Sequence, residues 1–230
     1  MKRILSTLLT LALLAIPCAG KERKARPTDP IEDEPGLPRV LLIGDSISIG
    51  YTLPTRKDLK GIANVHRIPQ NGGPTDRGLE KIDKWIGDKK WDVIHFNWGL
   101  HDLCYRNPES KVQGKRDKVD GTVTNSPEAY AANLEKLVTR LEETGATLIF
   151  ATTTPVPEGE PGRKVGDDVV YNNAALEVMK GRNVQINDLH SVMEGKMSEY
   201  SAGPGNVHYK EAGSKLLADH VAKVIREALK

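Results

Sequence analysis

The sequence predicts a three-layer α/β/α domain built on a mostly parallel sheet of five strands. Short apolar runs alternate with helical patterns along most of the chain, and such alternation implies parallel strands covered by helices on both faces. At 230 residues the chain has room for one sizeable core and not for two large domains. With hydrophobic residues at 38% and charged residues at 28%, disordered and collagen-like classes are excluded.

Residues 1–20 hold Lys2 and Arg3, no acid, and an apolar run from Leu8 to Ile16 that ends in Pro17-Cys18-Ala19-Gly20. This is the pattern of a secretory signal peptide cleaved near Ala19 or Gly20; the run is too short to span a bilayer comfortably. The chain is therefore expected to be exported, to a periplasm or outside the cell, with no transmembrane segment in its mature form. Lipid attachment at Cys18 fits less well, because Pro17 precedes it. Cleavage removes two of 33 basic residues and none of 31 acidic ones, leaving 31 of each, a balance that argues against nucleic acid as a partner. Cys104 is then the sole cysteine, so no internal disulfide can form.

Residues 21–38 carry four prolines and alternating charge without a periodic apolar face, and are expected to form a solvated tether. The domain is expected over 39–230. Its strands are read at 40–43, more weakly at 62–68, and at 91–96, 147–151 and 184–189. The clearest helix is 127–142, where Tyr130, Leu134, Leu137, Val138 and Leu141 share a face, Ser126 caps, Pro127 opens the first turn and Gly145 follows the end. The final helix, from about 210 to 229, aligns Leu216, Leu217, Val221, Val224, Ile225 and Leu229.

Ligands of parallel sheets bind beyond the carboxyl ends of the strands. Four segments fall there: Gly44-Asp45-Ser46, Asn71-Gly72-Gly73-Pro74-Thr75, Asn97-Trp98-Gly99-Leu100-His101-Asp102, and Asn206-Val207-His208 before the last helix. Each alone has an ordinary reading: a turn and helix cap at Ser46, a glycine turn at Gly73, a surface or core histidine at His101, a helix-start residue at His208. Together they supply a nucleophile, a base and N–H donors, the needs of acyl transfer.

In these segments the chain resembles the SGNH hydrolases, the GDSL-type esterases and lipases. Gly44-Asp45-Ser46-Ile47-Ser48 is similar to the first block of that family, Gly73 to the glycine of the second, Gly99-Leu100-His101-Asp102 in part to the third, and His208 to the last. The resemblance spans roughly residues 39–230 and implies a flavodoxin-like sandwich. It also implies Ser46 as nucleophile, His208 as base, and an oxyanion hole from the N–H groups of Ser46 and Gly73 with the side chain of His101. Two positions depart from the family pattern: His101 stands where asparagine is usual, and Gly205-Asn206 where an aspartate precedes the histidine. A neutral imidazole can donate one N–H, and the Asn206 carbonyl can orient His208 in place of the acid. Asp188 is a second candidate for that acid.

The function this implies is a secreted serine esterase acting on carboxylic, and first of all acetyl, esters of a small molecule or a polysaccharide, without metal or cofactor. Lipid or short-chain ester hydrolysis is an alternative, and so is a glycan-binding pseudo-enzyme of the same fold. Cys104 as a nucleophile rests only on its nearness to His101; a small buried residue is the ordinary reading. The six histidines form no HExxH helix and no cysteine pair accompanies them. Segment 105–125 lacks apolar periodicity and carries five basic residues against three acids, which suits an active-site lid favouring acidic sugars or a plain solvated loop. Trp98 is a candidate for stacking on a sugar or for the core; Trp85 and Trp91 are expected in the core. Oligomeric state is not legible.

Overall fold

The computed structural model describes residues 24–230, so the expected signal peptide and Cys18 lie outside the described residues. Five parallel strands form the main sheet: β1 (Arg39–Ile43), β2 (Asn64–Arg67), β3 (Val93–Phe96), β6 (Thr147–Ala151) and β7 (Val184–Asn187), in the order β2-β1-β3-β6-β7. Val40 pairs with Val65 on one side and Val93 on the other, and Leu148 with Ile94 and Val184. Strands so central must be apolar on both faces. Val40, Leu42, Ile43, Val93, Ile94, Phe96, Ile149 and Phe150 are all fully buried.

Helices α1 (Ser46–Asp58) and α7 (Glu211–Ala228) pack together on one face of the sheet. The other face carries α2 (Thr75–Ile86), α3 (Pro127–Glu142) and α4 (Asp167–Met179), with α3 between its neighbours. Helix α3 matches its sequence reading: Ser126 Oγ accepts the Ala129 N–H at 3.2 Å, Pro127 fills the first turn, and the five aligned apolar residues are buried. On α7 the buried stripe is Leu217, Val221 and Ile225, flanked by the partly covered Leu216, Val224 and Leu229. Short helices α5 (Leu189–Met193) and α6 (Met197–Tyr200) lead from β7 to the last loop.

The tether is not solvated throughout, and segment 105–125 is not a plain solvated loop. The tether touches the domain from Asp29 onward: Arg56 Nη2 donates to Asp29 O (3.1 Å), Asn64 Nδ2 to Glu34 O (3.1 Å), and Asp33 meets Arg39 Nε (3.0 Å). Segment 105–125 is a folded cap with an antiparallel pair, β4 (Tyr105–Arg106) and β5 (Thr122–Val123), and a tight turn at Gln113–Lys115. Its order comes from backbone bonds that apolar periodicity does not reveal, among them Asn107 N to Lys115 O (2.8 Å) and Lys118 N to Pro161 O (2.9 Å).

The order of strands reverses between β1 and β3, the position where open parallel sheets form their crevice. Ser46 leaves β1 there, and His101 leaves β3.

Candidate active site

Ser46 is the first residue of α1, directly after the sharp exit from β1. Asp45 caps the helix, accepting the Ile47 N–H at 2.9 Å, and is itself buried. The Ser46 N–H has no protein acceptor among the described residues and stands at the positive end of the helix. The buried Arg67 at the end of β2 holds this exit in place. Its Nη2 donates to Gly44 O (3.0 Å), Asp45 O (3.0 Å) and Ser48 Oγ (2.8 Å), and its Nη1 to Ile68 O (2.7 Å) and Gln70 O (2.8 Å). Gly72 closes the contact from the next loop; a Cβ there would stand 2.9 Å from Gly44 O.

His208 reaches Ser46 from the loop before α7. Its Nε2 lies 2.8 Å from Ser46 Oγ, and its Nδ1 lies 2.9 Å from Asn206 Oδ1. Since Asn206 Oδ1 also accepts the His208 backbone N–H at 3.0 Å, that oxygen is an acceptor, which puts the ring proton on Nδ1 and leaves Nε2 facing the serine. Desolvation holds His208 below the ordinary imidazole range; the nearby Arg163 and Arg116 act in the same direction, against Asp45 and Glu160. Helix α7 begins only at Glu211, after Lys210, so His208 lies in the loop before the helix and not at its start.

Asp188 is spent elsewhere. It accepts from Thr152 Oγ1 (2.9 Å), Ser191 Oγ (2.5 Å) and Ser191 N (3.1 Å), capping α5. Cys104 is buried with its Sγ toward Tyr105 O, and Trp98 is buried in the core, its carbonyl accepting from Tyr130 Oη (3.0 Å) and Thr153 Oγ1 (3.1 Å). Trp98 therefore offers no stacking face.

Ser46, His101, Asn206 and His208 line one open cavity of about 520 Å³. Burial pushes His101 down to about 4, with Arg163, Arg106 and Arg77 adding to the effect against Asp45, so at neutral pH its ring can donate a single N–H. Gly73 departs from its expected role: its N–H donates to Asn71 Oδ1 at 2.9 Å, and Asn71, not Gly73, lines the cavity. With Oδ1 so engaged, Asn71 Nδ2 is left as a donor with no protein acceptor among the described residues. Asp102, fully buried behind His101, ties the neighbouring loops together by accepting from Thr75 N (2.9 Å), Thr75 Oγ1 (2.6 Å) and Asn125 Nδ2 (2.8 Å). Burial raises its carboxyl to about 6.

Sequence reasoning did not find Asn71 as a donor, Arg67 or Arg163; Arg106 and Arg116 entered it only as part of the basic excess of segment 105–125. Asn71 sits inside a segment whose glycines attracted the assignment. Arg106 and Arg116 come from the cap and Arg163 from the loop before α4, and only folding brings the three together.

No protein-family model matches the sequence, and no curated protein is significantly similar to it. Solved structures do match. The chain superposes on a lipase/acylhydrolase from Enterococcus faecalis with a TM-score of 0.68 at 19% identity, covering 84% of this chain and 98% of that one. A catalytic mutant of an acetylxylan esterase from Geobacillus stearothermophilus gives 0.63 at 16%, covering 83% and 94%. A GDSL-like lipase from Bacteroides thetaiotaomicron gives 0.60 at 12%, covering 83% and 88%. The chain has the three-layer fold that these hydrolases share, with its five-stranded parallel sheet.

Proposed function

We propose that this protein is a serine carboxylic ester hydrolase of the SGNH kind, acting on acetyl esters carried by a hydrophilic alcohol such as a polysaccharide. The observation that carries the reading is the Asn206–His208–Ser46 chain of hydrogen bonds, 2.9 and 2.8 Å long, at the wall of an open cavity. His208 Nε2 takes the proton of Ser46 Oγ as that oxygen bonds to the acyl carbon. The carbonyl oxygen gains the negative charge and is met by the Ser46 N–H with donors from His101 and Asn71. Collapse breaks the bond to the alcohol, which leaves with the proton held on His208. Water, deprotonated by His208, then cleaves the acyl-serine to free acid and regenerated Ser46.

The lining supports a small acyl group and a polar alcohol. Apart from Leu100, Val207 and the prolines it consists of polar and charged residues and glycine, unlike an apolar trough for a lipid chain. Export, expected from residues 1–20, suits an extracellular glycan. A fluorophosphonate should label the wild type and release of acetate from acetylated xylan should be measurable; Ser46→Ala should lose both. Labelling that survives the substitution unchanged overturns the assignment.

One observation favours a second reading, a glycan-binding chain with weakened catalysis: the Gly73 N–H is occupied by Asn71 and withheld from the cavity. Turnover of 4-nitrophenyl acetate that depends on Ser46 excludes it.

A further inference from the structure

Three arginines from two segments face the cavity that holds Ser46: Arg106 from β4 and Arg116 just after the tight turn, both in the cap and bridged to each other, and Arg163 from the loop before α4. All three are fixed through two of their nitrogens. Arg163 donates from Nε to Leu100 O (2.6 Å) and from Nη1 to Glu160 Oε1 (2.8 Å). Arg116 donates from Nε to Gln113 O (2.9 Å) and from Nη1 to the same Glu160 oxygen (2.7 Å). Arg106 donates from Nε to Thr124 Oγ1 (3.3 Å) and from Nη1 to Gly114 O. The remaining Nη2 of each has no protein acceptor among the described residues. A guanidinium held on one side and open on the other is prepared for a planar anion.

The charges support the same conclusion. Glu160, which pairs with two of the arginines, is fully buried. Among the described residues Asp45 is the only acidic one lining the cavity, and its carboxylate already caps α1. The cavity therefore keeps an excess of positive charge. The chain also accommodates Arg116 closely, because a Cβ on Gly162 would fall 2.6 Å from the Arg116 Cβ.

We propose that Arg106, Arg116 and Arg163 form an anion subsite that binds a carboxylate carried by the ester substrate, so that the preferred substrates are acidic esters such as an acetylated uronate. The proposal rests on the esterase reading for its consequences in turnover, but the binding of the anion does not depend on catalysis. Charge-assisted bonds of this kind are worth about 10- to 100-fold in affinity or transition-state binding.

Two matched pairs of esters test it and locate the carboxylate. Methyl acetyl-galacturonoside against methyl acetyl-galactoside places the charge on the alcohol, and 4-nitrophenyl hemisuccinate against 4-nitrophenyl butyrate places it on the acyl group. The acidic member of at least one pair should have kcat/KM higher by about 10-fold or more, and 0.5 M NaCl should reduce that preference. Arg106→Gln and Arg116→Gln should each lower the acidic-to-neutral ratio by about 10-fold. Arg116→Lys, which keeps charge but loses the planar fork, should restore part of it. Calorimetry with Ser46→Ala gives the arm independent of turnover: a galacturonate oligomer should bind and the matching galactose oligomer should not. Neutral esters hydrolysed as well as acidic ones in both pairs, or equal binding of the two oligomers, overturns the subsite while leaving the esterase standing. If neither pair is hydrolysed but the galacturonate oligomer alone binds, the esterase reading fails and the subsite stands.

Discussion

Replacing Asn206 by aspartate puts a negative charge where the structure holds only a dipole. Asn206 Oδ1 stands 2.9 Å from His208 Nδ1, so a carboxylate in the same rotamer meets the ring at hydrogen-bonding distance. At that separation an imidazolium and a carboxylate attract by about 1.4 kcal/mol in bulk water and about 6 kcal/mol at the dielectric of a typical protein surface. His208 is exposed at the cavity wall, so the lower part of that range applies, about 2 kcal/mol. The charge develops on His208 as Ser46 attacks. Asn206→Asp should therefore raise kcat by up to about 30-fold on 4-nitrophenyl acetate, as about 2 kcal/mol of transition-state stabilisation does. It should also move the acid limb of the kcat/KM profile to higher pH, because the same carboxylate favours the protonated ring of the free enzyme. Asn206→Ala should lower kcat, and Asp188→Ala should cost only about 1 kcal/mol of stability through the lost cap of α5. An Asn206→Asp enzyme with neither a shifted acid limb nor a changed kcat would show that position 206 does not act on the ring. Collapse of kcat in Asp188→Ala, with the protein folded, would transfer the role to Asp188.

Three further outcomes follow from the site. His101→Ala should lower kcat by about 10²- to 10³-fold with little change in KM, as loss of one oxyanion donor does, and His101→Asn should recover much of it; a rise in KM alone would assign His101 to substrate binding instead. Asn71→Ala should lower kcat in the same manner, and unchanged kcat would return the donor role to the glycine loop. Asp102→Asn should become more stable relative to wild type as pH rises from about 4 to 7. The wild-type carboxyl, raised to about 6 by burial, is neutral when folded below that pH and charged above it, at a cost of about 3 kcal/mol. Urea denaturation at several pH values measures it, and a difference between the two proteins that is constant with pH refutes the buried-charge account.

The parallel sheet was legible because its three central strands, β1, β3 and β6, are largely apolar runs separated by punctuated helices. The edge strands β2 and β7 are more polar, and β2 gave a weaker pattern. The Ser46–His208 contact was legible in a weaker sense: Ser46 follows the end of a strand and His208 lies in the loop that leads into the last helix, on the edge where a parallel sheet gathers its ligand-binding loops. Gly73 shows where such reasoning stops. Placing a backbone N–H at the active edge does not say what accepts it, and the side chain of Asn71, two residues earlier, takes that bond. The cap over 105–125 was opaque for a related reason. Its hydrogen bonds run from backbone to backbone and from arginine to carbonyl, so neither apolar spacing nor charge counts register it. Trp98 illustrates a third limit, since strand-end position alone does not say whether a ring turns into the core.

The neutral residue at 206 and the arginines across the cavity belong to one electrostatic arrangement. Arg163 and Arg116 disfavour the imidazolium of His208, and Asn206 offers no charge to offset them. In the free protein this keeps the base neutral and able to accept the Ser46 proton, but it makes the protonated ring of the transition state less stable. A substrate carboxylate seated on the arginines would cancel part of their field at the moment the ring becomes charged. The acidic substrate then supplies the stabilisation that an aspartate would otherwise provide. The consequence is a separation of two pH profiles. The kcat/KM profile reports His208 in the free enzyme and the kcat profile reports it in the complex. For an acidic ester the acid limb of kcat should lie at higher pH than that of kcat/KM, because bound carboxylate raises His208. For the matched neutral ester the ring gains no opposing charge, and desolvation by the ligand should leave the kcat limb at the same or lower pH. The same displacement with both esters would mean that the arginines do not communicate with His208 through the substrate, even if they bind its carboxylate.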